Sequence, residues 1–313
     1  MQKVKDFKWT KNSKTEDLVD ALGNVGFQSI ELKKSVDNVI KMKKNGAKIF
    51  LTFTSNMVTS GLRGFFAQLI KLGIPDVIVT TVGGLEEDIM KSQGIDFIVG
   101  DFNSNDIELN EKGINRVGNL YIPNESYIKF EDLMKPMLTE VYKKKQRIAT
   151  SELLNELGSQ LEDENSILYQ AHKNKVPIFC PAITDGSMGF QLYMFQQDNP
   201  EFIVDVVKDF SNILFSVSQD DKKGIISLGG SISKHHAILA GVLNGGMDYA
   251  IYMTTARPTS GSMSGATTNE AKSWGKVKDD SDVVTVIGDV TINFPLMMTA
   301  ALEKLSREGL IDE

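Results

Sequence analysis

Short apolar runs of strand length alternate with helical patterns through most of this 313-residue chain. Each run is continuously apolar rather than alternately apolar and polar, which is typical of strands buried on both faces of a sheet. Strands are predicted at residues 47–53, 76–81, 96–100, 176–182, 224–230, 249–255 and 282–289. Because helical patterns separate these runs, we expect an α/β fold that is doubly wound, with a mainly parallel sheet and helices on both faces.

No linker and no internal repeat interrupts this pattern. We therefore predict a single domain over residues 1–313, in which residues 1–46 form a helical N-terminal segment. Helices are predicted at residues 15–23, 29–44, 130–144, 152–157, 166–173, 202–217, 234–244 and 295–307. No stretch approaches the roughly 20 apolar residues that a membrane-spanning helix needs.

The charge and cysteine content of the chain limit its partners. The formal net charge of −7 argues against a nucleic-acid surface and weakly favours a cationic ligand or a basic protein partner. One cysteine and three histidines are too few for a cysteine–histidine metal site, so we expect no metal. The lone cysteine, and a beginning without the apolar core of a signal peptide, predict a soluble cytoplasmic protein with no membrane partner.

Glycine and small polar residues follow most of the predicted strands. They are Ser55 and Asn56, Thr81 with Gly83 and Gly84, Asp185, Gly229 with Gly230, Thr255, and Gly288 with Asp289. In a parallel sheet the carboxyl ends of the strands border the ligand crevice, where glycine allows close approach and helix N-termini bind phosphate. Asp185 or Asp289 could accept hydrogen bonds from ribose hydroxyls. The chain has no G-x-G-x-x-G and no P-loop, so a dinucleotide is permitted but not specified.

A polar loop between residues 254 and 276 brings three functional groups close together in the sequence. Glu270, Trp274 and Lys276 supply a carboxylate, an indole ring and an amine. Together they can hold an organic cation, and the lysine can form an imine with a carbonyl or iminium carbon. The alternative is a surface loop with a satisfied tryptophan and a solvated lysine.

Two histidines, His235 and His236, follow the strand that ends at Gly230. Adjacent residues of a helix diverge by about 100°, so only one of these histidines is expected to face the crevice. That histidine would act as an acid–base or hydrogen-bonding group near neutral pH. The other would be packed or would cap the helix.

Taken together, these segments closely resemble the deoxyhypusine synthase family. The matching segments are TSNMVTSGLRG, DVIVTTVGGLEED, NRVGNLYIPNESYIKFED, PIFCPAITDGSMG, LGGSISKHH, NGGMDYAIYMTTA, SGATTNEAKSWGK and INFPL. They cover nearly the whole chain in the family's order and at its spacings, and the first of them resembles the archaeal branch. The resemblance implies a Rossmann-like, NAD-binding fold.

The resemblance also implies an activity, the NAD-dependent transfer of the 4-aminobutyl group of spermidine to one lysine of the translation initiation factor 5A precursor. Lys276 matches the family's imine-forming lysine, which must lose its proton to attack, and His235 matches its base-like histidine. The positions that match the polyamine site are Trp274, Glu270, Tyr252, Phe190 and Met263. The positions that match the NAD site are Ser55, Asn56, Thr59, Thr81, Glu87, Asp185, Gly229, Thr255, Ala256, Ser262, Ser264 and Asp289. The family implies a homotetramer with its sites at subunit interfaces.

Some residues depart from the eukaryotic members of the family. Phe190 and Met263 stand where those enzymes carry aspartates that hold polyamine ammonium groups. Leu239 replaces an amide in the same neighbourhood, and Ser260 replaces an acidic residue near the cofactor. Because an unpaired buried ammonium is costly, the loss of two carboxylates should weaken spermidine binding or change the donor, for example to agmatine.

Two other functions stay open at the level of the sequence. A homospermidine synthase would pass the aminobutyl group to putrescine and would keep the same lysine, histidine and NAD site. A catalytically silent paralogue would bind NAD or support a partner subunit. The presence of Lys276, His235, Trp274 and Glu270 together argues against the silent paralogue.

Overall fold

The structure is a computed structural model that describes residues 3–311. It divides the chain into two compact units. Unit 1 comprises Met1–Phe53, Leu72–Val79 and Ile213–Glu313, and unit 2 comprises Thr54–Lys71 and Thr80–Asn212. The organisation of residues 1–313 as a single domain stays a prediction.

Helices and short strands follow one another along the whole described chain. The helices are α1 (Thr15–Leu22), α2 (Gln28–Lys44), α3 (Arg63–Lys71), α4 (Val82–Ser92), α5 (Asp106–Glu111), α6 (Asn124–Lys144), α7 (Thr150–Gly158), α8 (Ile167–Asn174), α9 (Ser187–Asp198), α10 (Val206–Leu214), α11 (Ser231–Leu243), α12 (Thr268–Lys272) and α13 (Val290–Arg307). The strands are β1 (Lys48–Phe53), β2 (Val77–Thr80), β3 (Ile98–Val99), β4 (Ile114–Val117), β5 (Leu120–Pro123), β6 (Arg147–Ala149), β7 (Ile178–Phe179), β8 (Ile203–Asp205), β9 (Lys223–Leu228), β10 (Met247–Thr254) and β11 (Val277–Ile287). Within residues 3–311, no helix combines the length and apolar character needed to cross a membrane.

Unit 1 is built on a parallel sheet. Its strands lie in the order β11-β10-β9-β1-β2, and the β1–β9, β9–β10 and β10–β11 pairs are all parallel. Leu51 lies opposite Ile226, which in turn lies opposite Ile251. Every residue of β9 is buried, as expected for a strand covered on both faces. The predicted α/β fold with a mainly parallel sheet is therefore confirmed.

Helices cover both faces of this sheet, as two tyrosines of β10 show. The hydroxyl of Tyr249 accepts a hydrogen bond of 2.8 Å from Asn45, the residue that directly follows α2. The ring of Tyr252 instead lies below the ammonium of Lys234, which belongs to α11. Side chains three residues apart on a strand point to opposite faces, so α2 and α11 lie on opposite sides of the sheet.

Unit 2 contains a separate small antiparallel sheet, with the strand order β3-β5-β4. This corrects the prediction that residues 96–100 form another strand of the buried parallel sheet. Only Ile98 and Val99 are in β-conformation, and their side chains are 51% and 77% exposed. A short apolar run does not by itself reveal which sheet a strand joins, because that depends on partners distant in sequence.

Two further predictions need correction at their boundaries. The long helix predicted at residues 202–217 is the strand β8 followed by α10, which begins at Val206. β-Branched residues run through both parts, so local periodicity did not separate them. In the N-terminal segment, α1 and α2 confirm the two predicted helices, whereas residues 3–14 form no helix.

Candidate active site

A narrow cavity in unit 1 brings together five of the residues predicted to form the catalytic and donor site. These residues are Lys276, Trp274, Glu270, Tyr252 and Met263. The cavity has a volume of about 20 Å³ and is also lined by Lys234, Ile238, Ala266, Thr267 and Ala271. The lining combines apolar groups, aromatic rings, two amines and one carboxylate, which suits an organic cation.

The local fold fixes the position of Lys276 immediately before β11. Helix α12 is capped by Thr267, whose hydroxyl accepts a hydrogen bond of 3.2 Å from the backbone N–H of Glu270. After this helix, the backbone N–H of Lys276 donates to the carbonyl of Ala271, and its carbonyl accepts from Met247 at the start of β10; both distances are 3.1 Å. The lysine backbone is therefore held on both sides by regular structure.

The side chain of Lys276 is enclosed, whereas its aromatic neighbour faces solvent. Lys276 is 8% exposed, and its Nζ lies 5.1 Å from the ring centroid of Trp274. Trp274 itself is 68% exposed. This arrangement contradicts the solvated-lysine alternative, because the amine lies against an indole face rather than in water.

Tyr252 contributes a buried hydroxyl to the cavity lining. The residue is 1% exposed, and burial raises the pKa of its phenol, so the phenol is neutral at physiological pH. Among residues 3–311, no group forms a hydrogen bond with this hydroxyl. A buried polar atom without a partner is costly unless a water or a ligand supplies one.

Lys234 is a member of this cavity that the sequence did not point to. It is completely buried, and its Nζ donates to the carbonyls of Met263 and Ala266 at 3.0 and 2.8 Å. Its Nζ also lies 3.9 Å from the ring centroid of Tyr252. Burial lowers the pKa of Lys234 to about 8, with Glu270 opposing this shift and the charge of Lys276 adding to it. A lysine near a helix start is usually solvated, so only the tertiary structure reveals this one.

The two adjacent histidines of α11 differ in exposure, as their divergence on a helix predicts. His235 is exposed at the surface and His236 is half-buried. Loss of hydration lowers the pKa of His235, and the charge of Lys276 lowers it further. His235 is therefore neutral near pH 7 and able to accept a proton.

In unit 1, the predicted cofactor residues lie at strand ends and in the loop before α12. Gly229 follows β9 with a φ of 82°, and Ser231 begins α11 with a φ of 61°. The backbone N–H of Ser231 donates to the hydroxyl of Ser264 at 3.1 Å. Asp289 caps α13 by accepting from the N–H of Thr291 at 2.8 Å. The other predicted members, placed in the same two kinds of segment, are Thr255, Ala256 and Ser262.

In unit 2, four predicted cofactor residues form a connected group after β1 and β2. The N–H of Ser55 donates to the hydroxyl of Thr81 at 2.9 Å. The hydroxyl of Thr59 lies 2.8 and 2.7 Å from the two carboxylate oxygens of Glu87. Burial raises the pKa of Glu87 to about 7, although the bond from Thr59 works against this shift. The remaining predicted residues of this unit, all exposed, are Asn56, Asp185 and Phe190.

Comparison with known proteins points to one family. A family model described as deoxyhypusine synthase matches residues 17–301. A probable deoxyhypusine synthase of Thermococcus kodakarensis is 42% identical over 303 residues, covering 91% of this chain and 90% of that protein. A probable deoxyhypusine synthase of Schizosaccharomyces pombe is 38% identical over 306 residues, covering 92% of this chain and 87% of that protein.

One solved structure agrees with this family, and a second agrees in fold alone. The crystal structure of an Entamoeba histolytica protein assigned as a deoxyhypusine synthase has a TM-score of 0.67 at 28% identity, over 96% of this chain and 97% of that chain. A complex of AgrE with ornithine and NAD+ has a TM-score of 0.54 at 11% identity, over 96% of this chain and 35% of that chain, and shows a similar fold only. The sequence, the fold and the extent of these matches together establish that this chain belongs to the deoxyhypusine synthase family of transferases.

Proposed function

We propose that this protein transfers the 4-aminobutyl group of spermidine to one lysine of the translation initiation factor 5A precursor, in a reaction that uses NAD. The observation that carries the proposal is the enclosed Lys276 amine beside Trp274, in a cavity shared with Glu270 and Tyr252. A buried amine next to a cation-binding ring and a carboxylate is suited to imine chemistry on a polyamine.

Lys276 acts as the nucleophile in this scheme. Once the carbon beside the secondary amine of the donor has been oxidised, the Lys276 amine attacks it. The carbon–nitrogen bond to the leaving group breaks, 1,3-diaminopropane departs with the proton it needs, and an imine remains on Lys276. The amine of the acceptor lysine then attacks the same carbon and displaces Lys276, and reduction of the new imine gives the stable product.

The neighbouring groups bind the donor and move protons. Glu270 pairs with one ammonium of the donor, and the Trp274 face attracts a cationic centre. His235 accepts the proton that the attacking amine releases, because its lowered pKa keeps the ring neutral near pH 7. The Tyr252 hydroxyl, which has no partner among residues 3–311, offers one further hydrogen bond to a ligand inside the cavity.

The chemistry of the residues in each unit fits NAD. In unit 1, Gly229 and Ser231 have left-handed backbone conformations at the N-terminus of α11, which favours an anionic phosphate. In unit 2, Thr59 and Glu87 offer a hydroxyl and a carboxyl group suited to ribose hydroxyls. NAD, when bound, supplies the hydride acceptor for oxidation of the donor and returns the hydride at the end.

The proposal extends to assembly and location. The family relationship supports a homotetramer with active sites at subunit interfaces, in the cytoplasm. In such an assembly, residues of a second copy of the chain would complete each site.

The donor depends on Phe190 and Met263. Met263 lines the cavity of unit 1, and Phe190 lies on the exposed face of α9 in unit 2. Neither can pair with an ammonium, so Glu270 is the carboxylate among the cavity residues that can anchor a polyamine. Because the second ammonium of spermidine lacks a carboxylate partner here, we expect weak use of spermidine or the use of agmatine instead.

The decisive experiment is a mass spectrum of the matching factor 5A precursor after incubation with this protein, NAD and either spermidine or agmatine. Addition of an aminobutyl group to one lysine with spermidine is the expected result. Addition with agmatine alone would keep the lysine chemistry and change the donor. New free polyamine beside an unmodified factor would replace the proposal with homospermidine synthesis, and no product at all would favour a catalytically silent protein.

A further inference from the structure

Lys234 is a completely buried cation in the cavity, and the proposed reaction gives it no chemical step. We propose that Lys234 is a positioning residue whose ammonium clamps residues 262–266, called the clamped loop below, against helix α11. The clamp would fix the loop residues that contact the donor and the cofactor. That these loop residues contact the donor and the cofactor rests on the proposed function.

Three hydrogen bonds join the first turn of α11 to the clamped loop. The Nζ of Lys234 donates to the carbonyls of Met263 and Ala266, at 3.0 and 2.8 Å. The backbone N–H of Ser231 donates to the hydroxyl of Ser264 at 3.1 Å. One ammonium therefore holds both ends of the four-residue stretch from Met263 to Ala266 against α11.

The clamped loop packs closely against the residues on either side of it. A Cβ atom added to Gly230, just before α11, would lie 2.4 Å from the backbone Cα of Ser264. A Cβ atom added to Gly265 would lie 2.2 Å from the carbonyl oxygen of Arg257. The loop thus lies between α11 and the segment that contains Arg257. The close contacts require glycine at positions 230 and 265, because a Cβ atom at either would clash.

A stabilising role alone explains this buried ammonium poorly. Moving a charge out of water is costly, and an apolar side chain of similar shape often stabilises a protein as well or better. The two carbonyls and the face of Tyr252 offset part of this cost, yet the pKa of Lys234 is still lowered to about 8. What the ammonium supplies, and an apolar group would not, is directional bonding to the loop.

The clamped loop carries residues of both proposed binding sites. Ser262 and Ser264 are proposed to contact the cofactor, and Met263 lines the cavity. The loop then leads through Thr267 into α12 and Glu270. Release of Met263 and Ala266 would therefore displace donor and cofactor contacts together, while the backbone of Lys276 stays fixed by its own hydrogen bonds.

The test compares Lys234→Met with Lys223→Met. Lys223 is a matched control in unit 1, because it is also completely buried and its Nζ donates to two backbone carbonyls, at 2.9 and 2.7 Å. It does not line the cavity. Hydrogen–deuterium exchange of the amides in residues 262–266 reports the clamp directly, and steady-state kinetics report KM for the donor and for NAD separately from kcat.

In Lys234→Met we expect exchange in the clamped loop to accelerate by about tenfold or more, since local opening becomes easier. We also expect KM for donor and NAD to rise by about tenfold, a larger change than in kcat. Lys223→Met should change neither quantity beyond its effect on overall stability. Equal exchange and equal KM in the two variants would overturn the clamp.

The clamp can still be tested if Lys234→Met fails to fold or if the wild-type protein lacks the proposed activity. If Lys234→Met does not fold, Lys234→Gln replaces it, because its amide is one atom shorter and reaches at most one carbonyl; unchanged exchange there would also contradict the clamp. The exchange measurement needs no substrate. Faster exchange in a protein whose wild type fails to modify the factor would therefore support the clamp while rejecting the proposed reaction.

Discussion

Two buried charged clusters, one in each unit, differ in how completely their polar atoms are paired. In unit 2, the carboxylate of Asp88 is fully buried and accepts hydrogen bonds from Arg63, Ser166 and the backbone N–H groups of Ile167 and Leu168. The two N–H groups belong to the first turn of α8, where a negative charge is favourable. This cluster joins α3, α4 and α8, and it leaves the carboxylate well provided with partners.

The cavity of unit 1 is paired less completely. Lys234 has two carbonyl partners, but the hydroxyl of Tyr252 has none within residues 3–311, and Lys276 lies beside an exposed ring. A satisfied buried network stabilises one fold, whereas unpaired polar atoms around a cavity cost stability unless a ligand pairs with them. The contrast indicates that Asp88 stabilises the fold, and it supports our proposal that the unit 1 cavity binds a ligand.

Lys276→Ala tests the proposed role of the unit 1 cavity, and we expect it to lose more function than any other single substitution. Removal of the amine removes the imine, so aminobutyl transfer should fall by at least about 1,000-fold. Some NAD-dependent cleavage of the donor should persist and is measured as NADH formation. Lys272→Ala, which changes a lysine in the same segment outside the cavity, should transfer normally. Unchanged transfer in Lys276→Ala would remove this lysine from the mechanism.

The opposite pattern is expected for Asp88→Ala. Deletion of a fully buried carboxylate leaves Arg63 and several N–H groups without it, and should lower the free energy of unfolding by about 3 kcal/mol or more. Urea denaturation measures this loss. Asp106→Ala removes an exposed partner of Arg116 and should have little effect. If Asp88→Ala were as stable as the wild type, the assignment of this cluster to the fold would fail.

Glu87, the residue before Asp88, is a second buried carboxylate of unit 2. It accepts a hydrogen bond from the hydroxyl of Thr59. Its pKa rises from 4.5 to about 7 on folding, so the folded protein holds this proton more tightly than the unfolded chain. Stability from Glu87 is therefore complete below about pH 4.5 and is lost as pH rises through about 7. Glu87→Gln avoids that loss and should be more stable at pH 8 by up to about 3 kcal/mol.

Thermal unfolding of both proteins at pH 5 and pH 8 measures this effect. The two melting temperatures should lie closer together at pH 5 than at pH 8, with the variant higher at pH 8. A constant difference at the two pH values would show that Glu87 does not titrate in this range.

A more modest change is expected when Phe190 is replaced to alter the selectivity for the donor. Phe190→Asp restores a carboxylate at a position that matches the polyamine site, and should raise kcat/KM for spermidine by about tenfold, the order expected for one added ion pair. Tyr193→Asp is a matched control, since Tyr193 lies on the same helix and is also 55% exposed. Equal effects of the two substitutions would mean that the added charge acts without contact to the donor.

Much of the fold follows from local patterns. The continuous apolar runs of β1, β9 and β10 predict strands buried on both faces, and the structure confirms them in one parallel sheet. Glu270, Trp274 and Lys276 lie within seven residues, so a short helix and a turn are enough to bring them together. These features could be predicted from the sequence because each depends on residues that are close together along the chain.

Features that depend on residues distant along the chain could not be predicted from local patterns. The exposed strand β3 joins an antiparallel sheet, and α10 follows a strand instead of continuing a helix. Lys234 is buried against carbonyls about 30 residues away in the chain. Burial and hydrogen bonding between distant segments are set by which surfaces pack together, and the periodicity of a single segment contains no record of that packing.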